Sequence, residues 1–228
     1  MQPFLKEEFK LLTKVRDNLK NIKEVNLNKK YITVGCSGGA DSLCLLLSLY
    51  FCKELFNFNY NLDAVYINHG LRKEAVEEGK LVLMICDLLN IPGKVIKIKV
   101  NGKNIMEEAR NKRYEALIEH SGKNGIIAVG HNMNDQAETI LMRLLGLCSS
   151  TNIFGMRMFN IINGYPIMRP LLNIERKDIE YFVRNFPYVK DPTNEDMHYT
   201  RSVIRHRLIP TLQGYNPDVI KAIYRALS

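Results

Sequence analysis

Six consecutive residues, Ser37-Gly38-Gly39-Ala40-Asp41-Ser42, carry the densest chemistry in the chain. They follow an apolar, β-branched run from Tyr31 to Cys36, the pattern of a strand. They precede a strongly apolar run, Leu43 to Phe51, that predicts a buried helix. A glycine-rich bend between strand and helix turns several backbone N–H groups outward at a helix N-terminus, which suits a phosphate. Gly38 and Gly39 let the chain approach a ligand with no Cβ in the way. Ser37 and Ser42 add hydroxyls, and Asp41 adds a carboxylate able to hold Mg²⁺. Taken alone, the two glycines read equally well as an ordinary βα turn, because short glycine motifs are weak signals.

Three more clusters could do chemistry. His131, Asp135 and Glu138 form one, and the two acids lie three apart on one helix face. Asp135 could join Asp41 on Mg²⁺, which needs only one or two carboxylates besides phosphate oxygens. The competing reading is a helix start capped by Asn134, with acids matched to the dipole. Arg110 and Arg113 share a face with Glu107, and Glu108 lies beside it. A solvated helix with weak surface ion pairs would look the same. Arg201, Arg205, His206 and Arg207 make a basic stripe suited to phosphate contacts, or a basic face in water. Asn68, His69 and Cys148 are single loop residues without a base and an orienting partner, so covalent catalysis is not expected.

The elements that must position these groups follow from periodicity. Phe4, Phe9, Leu12, Val15 and Leu19 recur near helical spacing and predict a helix ending before Asn26. Strands are expected at Tyr31–Cys36, Leu62–Ile67, Lys94–Val100 and Gly125–Val129. Helices are expected at Asp41–Glu54, Glu74–Leu89, from a cap at Asn104 to His120, and at Asp135–Leu145. Asn163-Gly164 between two apolar runs is a hairpin signal. A helix over Ile174–Phe186, a polar loop over Tyr188–Met197, a basic helix over Tyr199–Leu208 ended by Pro210, and a last helix from Pro217 complete the chain. Strand and helix in alternation predict an α/β fold, an open and mainly parallel sheet with helices on both faces. Ligands in such sheets bind beyond the strands' carboxyl ends. The loops at 37–42, 68–72 and 130–135 all fall there, which turns a weak glycine motif into a constellation.

Composition narrows the class. The chain has 228 residues, 46% of them hydrophobic, enough for one sizeable core. Thirty-two basic against 24 acidic residues give a net charge of +8, which favours a polyanionic partner such as nucleic acid. Five cysteines lack Cys-x-x-Cys spacing, which argues against a disulfide framework, a zinc site or a cluster and for a reducing compartment. The segment from Met1 to Lys20 is charged throughout and has no signal-peptide core. No apolar run approaches the roughly 18 residues needed to span a membrane.

The six-residue motif has the Ser-Gly-Gly-x-Asp-Ser form of the PP-loop, or N-type, ATP pyrophosphatases, and further blocks resemble the tRNA(Ile)-lysidine synthetase family within them. These are Val65 to Arg72, Asn104 to Arg110 with Arg113-Tyr114, His131 to Thr139, Arg169-Pro170-Leu171-Leu172, Asp191-Pro192-Thr193-Asn194, and Tyr199-Thr200-Arg201 through Ile204-Arg205-His206. Asn132 and Asn134 stand where relatives often carry His and Asp. The resemblance implies an ATP- and Mg²⁺-dependent ligase acting on a CAU-anticodon tRNA(Ile) and free L-lysine, in a bacterial cytoplasm or a plastid stroma, with a homodimer as one assembly. Ser37 to Ser42 would cradle pyrophosphate, Asp41 and Asp135 would hold the metal, and Glu138 or His131 would deprotonate or orient lysine. Arg110 and Arg113 would hold a carboxylate or phosphates, and Arg201, Arg205, His206 and Arg207 would meet tRNA or complete the site. The alternatives are a PP-loop tRNA cytidine thiolase and a non-catalytic tRNA-binding relative. The expected organisation is a helix at 1–28, a catalytic domain at 29–185 and a basic helical extension at 186–228. Against this family the chain reads as a short form, without the C-terminal domains many relatives carry.

Overall fold

A computed structural model of the chain describes residues 4–70, 74–101, 105–148, 154–189, 196–197 and 199–227. In order, these fold as α1 (Lys6–Asn21), β1 (Tyr31–Gly35), α2 (Ala40–Phe56), β2 (Asn61–Asn68), α3 (Ala75–Leu88), β3 (Gly93–Lys97), α4 (Ile105–Ser121), β4 (Gly125–Ala128) and α5 (Met133–Leu144). A hairpin, β5 (Phe159–Ile162) and β6 (Tyr165–Met168), then leads to α6 (Arg176–Val183), α7 (Thr200–Val203), a π turn at Ile204–Leu208, α8 (Ile209–Tyr215) and α9 (Val219–Leu227). The expected cap at Asn104 lies outside the described residues, as does the block at 191–194.

The strands form one sheet in the order β3-β2-β1-β4-β6-β5. Every pairing is parallel except β5 with β6. Strand side chains alternate between two apolar faces, as a sheet covered on both sides requires. Ile32, Val34, Ala64, Tyr66, Ile126 and Ala128 face a core shared with α1, α2, α3 and α6. Val65, Ile67, Ile127 and Val129 face a second core with Tyr114, Ala116 and Leu117 of α4. Helix α2 is buried nearly all round, from Leu43 to Leu49, which explains its lack of a polar face. Lys94 and Lys97 mark β3 as a sheet edge, and charge there discourages further pairing. The hairpin turns on Asn163 at φ 52° and Gly164 at φ 76°, the left-handed pair a type I′ turn needs.

The order of the sheet reverses between β1 and β4, so loops β1–α2 and β4–α5 leave neighbouring strand ends. That is the crevice where open α/β sheets take ligands. Gly130 brings the two loops together. A Cβ there would lie 2.9 Å from the Asp41 carbonyl carbon and oxygen.

The C-terminal segment departs from expectation. Pro210 does not end the basic helix. It falls in the first turn of α8, where a missing N–H is tolerated. The π turn before it lets α7 run on into α8. A third apolar cluster joins Met133 and Ala137 of α5 to Ile204, Ile209 and Ile220, and so seats this segment over α5. Among the described residues, no helix is long and apolar enough to cross a membrane.

Candidate active site

The phosphate loop is built as its residue types demand. Gly38 takes φ 78°, and Gly39 begins α2 in an extended conformation. Ser42 Oγ accepts the Ser37 N–H at 3.1 Å and donates to the Gly39 carbonyl at 3.0 Å. The Ser37 and Ser42 hydroxyls lie 3.1 Å apart. Ala40 is half-buried at the first turn of α2. The Val189 N–H donates to the Gly38 carbonyl at 2.8 Å and pins the segment after α6 onto the loop.

The 131–138 block meets this loop through Asn132. Asn132, not Asn134, caps α5. Its side chain accepts the Asp135 N–H at 3.1 Å, while Asp135 Oδ2 accepts the Asn132 N–H at 3.0 Å. The same Asn132 donates from Nδ2 to Asp41 Oδ1 at 2.8 Å. Asn134 instead accepts the backbone N–H of Arg176 at 2.9 Å. Each carboxylate thus has one oxygen fixed by Asn132. The second oxygens, Asp41 Oδ2 and Asp135 Oδ1, both face Arg176 Nη2, at 3.7 and 3.4 Å, and Asp135 Oδ1 also faces Arg205 Nη2 at 3.4 Å. Burial pushes the Asp41 carboxyl up to about 6, and the Asp135 charge adds to the rise. Arg176 opposes it most, followed by the Asn132 hydrogen bond and Arg205. Two inward carboxylate oxygens are hard donors of the type Mg²⁺ takes, so Asp41 and Asp135 fit a magnesium ion.

Glu138 is the fixed point of the site. Its side chain is 1% exposed. Arg201 Nε donates to Oε2 at 2.7 Å, and Arg205 donates from Nε to Oε1 at 2.6 Å and from Nη2 to Oε2 at 2.9 Å. Arg201 also donates from Nη2 to the Asp135 carbonyl and to Thr139 Oγ1, each at 3.2 Å. Guanidinium N–H groups hold both Glu138 oxygens, so in this arrangement the acid faces arginines. Of the two expectations for Arg201 and Arg205, tRNA contact or completion of the site, the geometry matches the second: both point at Glu138, drawn in by the π turn and the buried acid. His206 and Arg207 lie on the exposed side of the same turn.

His131 is half-buried, and its Nδ1 is buried without a hydrogen-bond partner among the described residues. Burial lowers its pKa to about 3, helped by the charges of Arg169, Arg201, Arg113 and Arg110. The ring is neutral. Arg110 and Arg113 lie over the Tyr114 ring at 5.8 and 5.5 Å. Arg110 is exposed, whereas burial lowers the pKa of Arg113. Arg169, 3% exposed, behaves likewise and donates to the Arg157 carbonyl at 3.0 Å. Neither Arg113 nor Arg169 has an acidic partner among the described residues. Sequence reasoning passed over Asn132, Arg169 and Arg176 as actors. An arginine in the first turn of α6 was the visible signal for the last.

Comparison with known proteins shows the family of the chain. A model of the PP-loop domain matches residues 11–212. The chain belongs to the PP-loop family of ATP-utilising proteins. Curated PP-loop relatives include the tRNA(Ile)-lysidine synthase of Thermosipho africanus, 37% identical over 94% of this chain and 52% of that protein. Another, of the same name, comes from Clostridioides difficile, 36% identical over 91% of this chain and 47% of that protein. The chain spans about half the length of these relatives. Among solved structures, the U34-tRNA thiolase NcsA from Methanococcus maripaludis, with its [4Fe-4S] cluster, superposes with a TM-score of 0.76 at 20% identity. It covers 97% of this chain and 78% of its own, and shares the PP-loop fold.

Proposed function

We propose that this chain carries the catalytic domain of a tRNA(Ile)-lysidine synthetase, acting in a bacterial cytoplasm or a plastid stroma. ATP adenylates the carbon-2 carbonyl of the wobble cytidine in a CAU-anticodon tRNA(Ile), and pyrophosphate leaves. The side-chain amine of free L-lysine then attacks carbon 2 and displaces AMP. The observation that carries this reading is the junction of phosphate loop and 131–138 block through Asn132, in a chain resembling synthetases of that name.

Each group has a task in that scheme. The loop N–H groups and the Ser37 and Ser42 hydroxyls face the pyrophosphate, where negative charge accumulates. Asp41 and Asp135 hold Mg²⁺, which when bound supplies a Lewis acid for the phosphates. Glu138 keeps Arg201 and Arg205 at the site and supports Asp135. Half-buried Arg113 and buried Arg169, without acidic partners among the described residues, together with Arg110, suit an anion such as the lysine carboxylate or a phosphate. Neutral His131 offers Nδ1 as an acceptor that orients the lysine amine. Exposed Arg207 supplies positive charge, and exposed His206 a ring N–H, for tRNA backbone. The thiolase reading has less support, because four of the five cysteines are buried in the fold. The test is incubation with ATP, Mg²⁺, radiolabelled lysine and a tRNA(Ile) transcript bearing CAU. Label in the tRNA is the expected result, and no label beside an active control enzyme overturns the reading.

A further inference from the structure

Two kinds of arginine contact coexist in the site. Those on Glu138 are tight, at 2.6 to 2.9 Å with aligned donors. Those of Arg176 on Asp41 and Asp135 are loose, at 3.7 and 3.4 Å, as is the 3.4 Å contact of Arg205 Nη2 on Asp135 Oδ1, but Arg205 is held in place by Glu138 and Arg176 has no such anchor among the described acids. Charge-assisted hydrogen bonds of full strength are about 2.7–2.9 Å long. Arg176 therefore neutralises the two carboxylates without being locked to either. Its backbone N–H is held by Asn134 Oδ1, and its side chain is 23% exposed.

Charge balance sharpens the point. Asp41, Asp135 and Glu138 carry three negative charges, and Arg176, Arg201 and Arg205 carry three positive ones. A divalent cation cannot enter between Asp41 and Asp135 while Arg176 Nη2 holds that place, because like charges would then share a half-buried site. If the guanidinium swings outward, the metal takes its place. The displaced cation then stands beside the phosphates that arrive with the metal.

We propose that Arg176 is a phosphate-binding residue of the nucleotide site, parked between Asp41 and Asp135 until a divalent metal displaces it onto the polyphosphate. The proposal rests on the reading that Asp41 and Asp135 hold the metal, and goes beyond it by assigning Arg176 two positions. It makes nucleotide and metal mutually dependent. Metal alone must compete with an internal cation, whereas metal with nucleotide gives that cation a new partner.

The test uses the full chain, with Mn²⁺ as the metal probe read by electron paramagnetic resonance of the free ion. Without nucleotide, Arg176→Gln should bind Mn²⁺ about tenfold more tightly than the parent chain. The same variant should bind ATP about tenfold more weakly with Mg²⁺ present, by equilibrium dialysis. Arg176→Lys, which keeps a cation, should fall between the two in both measurements. Circular dichroism and thermal melting establish that each variant is folded. An arginine that merely braced the loops would lower the melting temperature without tightening Mn²⁺. Equal Mn²⁺ affinity in the parent and Arg176→Gln, with Asp41→Asn abolishing it in both, overturns the role of Arg176 and leaves the metal reading standing. Unchanged ATP affinity in Arg176→Gln also overturns the role. Failure of every chain to bind Mn²⁺, with or without ATP, overturns both.

Discussion

Arg205 grips Glu138 with a two-pronged fork, Nε to Oε1 at 2.6 Å and Nη2 to Oε2 at 2.9 Å. The planar guanidinium matches the planar carboxylate, a fit lysine cannot reproduce. Arg201 closes the remaining side. The pairing joins α5 to the π turn, so it fixes the C-terminal segment as well as the site. Glu138→Gln leaves two guanidiniums facing an amide that offers one acceptor. The expected loss is about 2 kcal/mol of folding stability, below the range for fully buried pairs because Arg201 is partly exposed. Urea unfolding measures it. Arg205→Lys should recover little, since it restores charge without the fork.

Gly130 offers a second test, one of distance rather than charge. A methyl group there would meet the Asp41 carbonyl at 2.9 Å and the Ser42 nitrogen at 3.1 Å. Both are backbone atoms at the start of a buried helix, so neither can yield cheaply. Gly130→Ala should cost about 2 kcal/mol by overpacking. It should also part Asn132 from Asp41. A raised KM for ATP, beyond what stability predicts, is the measurement that separates loop displacement from general weakening.

The sheet, its helices and the hairpin were legible because period-2 and period-3.6 patterns are local, as in the apolar run of α2 and the Asn163-Gly164 turn. Clustering of loops at the carboxyl edge followed from topology alone. What the residues could not reveal was pairing across the chain. Arg201 and Arg205 read as a basic stripe, yet their partner Glu138 lies more than sixty positions upstream. Asn132 read as a departure in a block where relatives often carry His and Asp, yet it bridges two carboxylates from separate loops. Pro210 read as a terminator because its lost N–H is costly inside a helix. The π turn before it makes that position a first turn instead.

His131 predicts an acid sensitivity with a definite sign. Its folded pKa is depressed to about 3, against about 6.5 in an unfolded chain. Between those values the unfolded state binds more protons. The stability owed to a neutral ring is present above pH 6.5 and is lost as pH falls toward 3. One proton sets a limit of about 1.4 kcal/mol per pH unit. His131→Asn should flatten the decline between pH 6.5 and 5, as followed by urea unfolding at several pH values. Asp41 works in the opposite direction. Its carboxyl is raised to about 6, so the stability tied to its protonated form is present below pH 4 and lost as pH rises through 6. The His131 and Asp41 variants should therefore tilt the pH profile in opposite senses.

Asp41 and Asp135 give the sharpest functional prediction. Each spends one oxygen on Asn132 and turns the other toward a shared cation position. Asp41→Asn and Asp135→Asn remove the charge while keeping size and one acceptor, so fold is little changed. Under the proposed function, and with magnesium at that position, each variant should slow tRNA-dependent ATP–pyrophosphate exchange by about a hundredfold or more. Lysine attack on an adenylated tRNA prepared beforehand should suffer less, because pyrophosphate has already left. Asn132→Ala should fall between, since it frees the Asp41 carboxylate and uncaps α5 without removing either charge, while the backbone N–H at 132 still holds Asp135, and added Mg²⁺ should restore part of its rate. Full exchange activity in both aspartate variants would exclude a metal at this position and leave Arg176 as its permanent occupant.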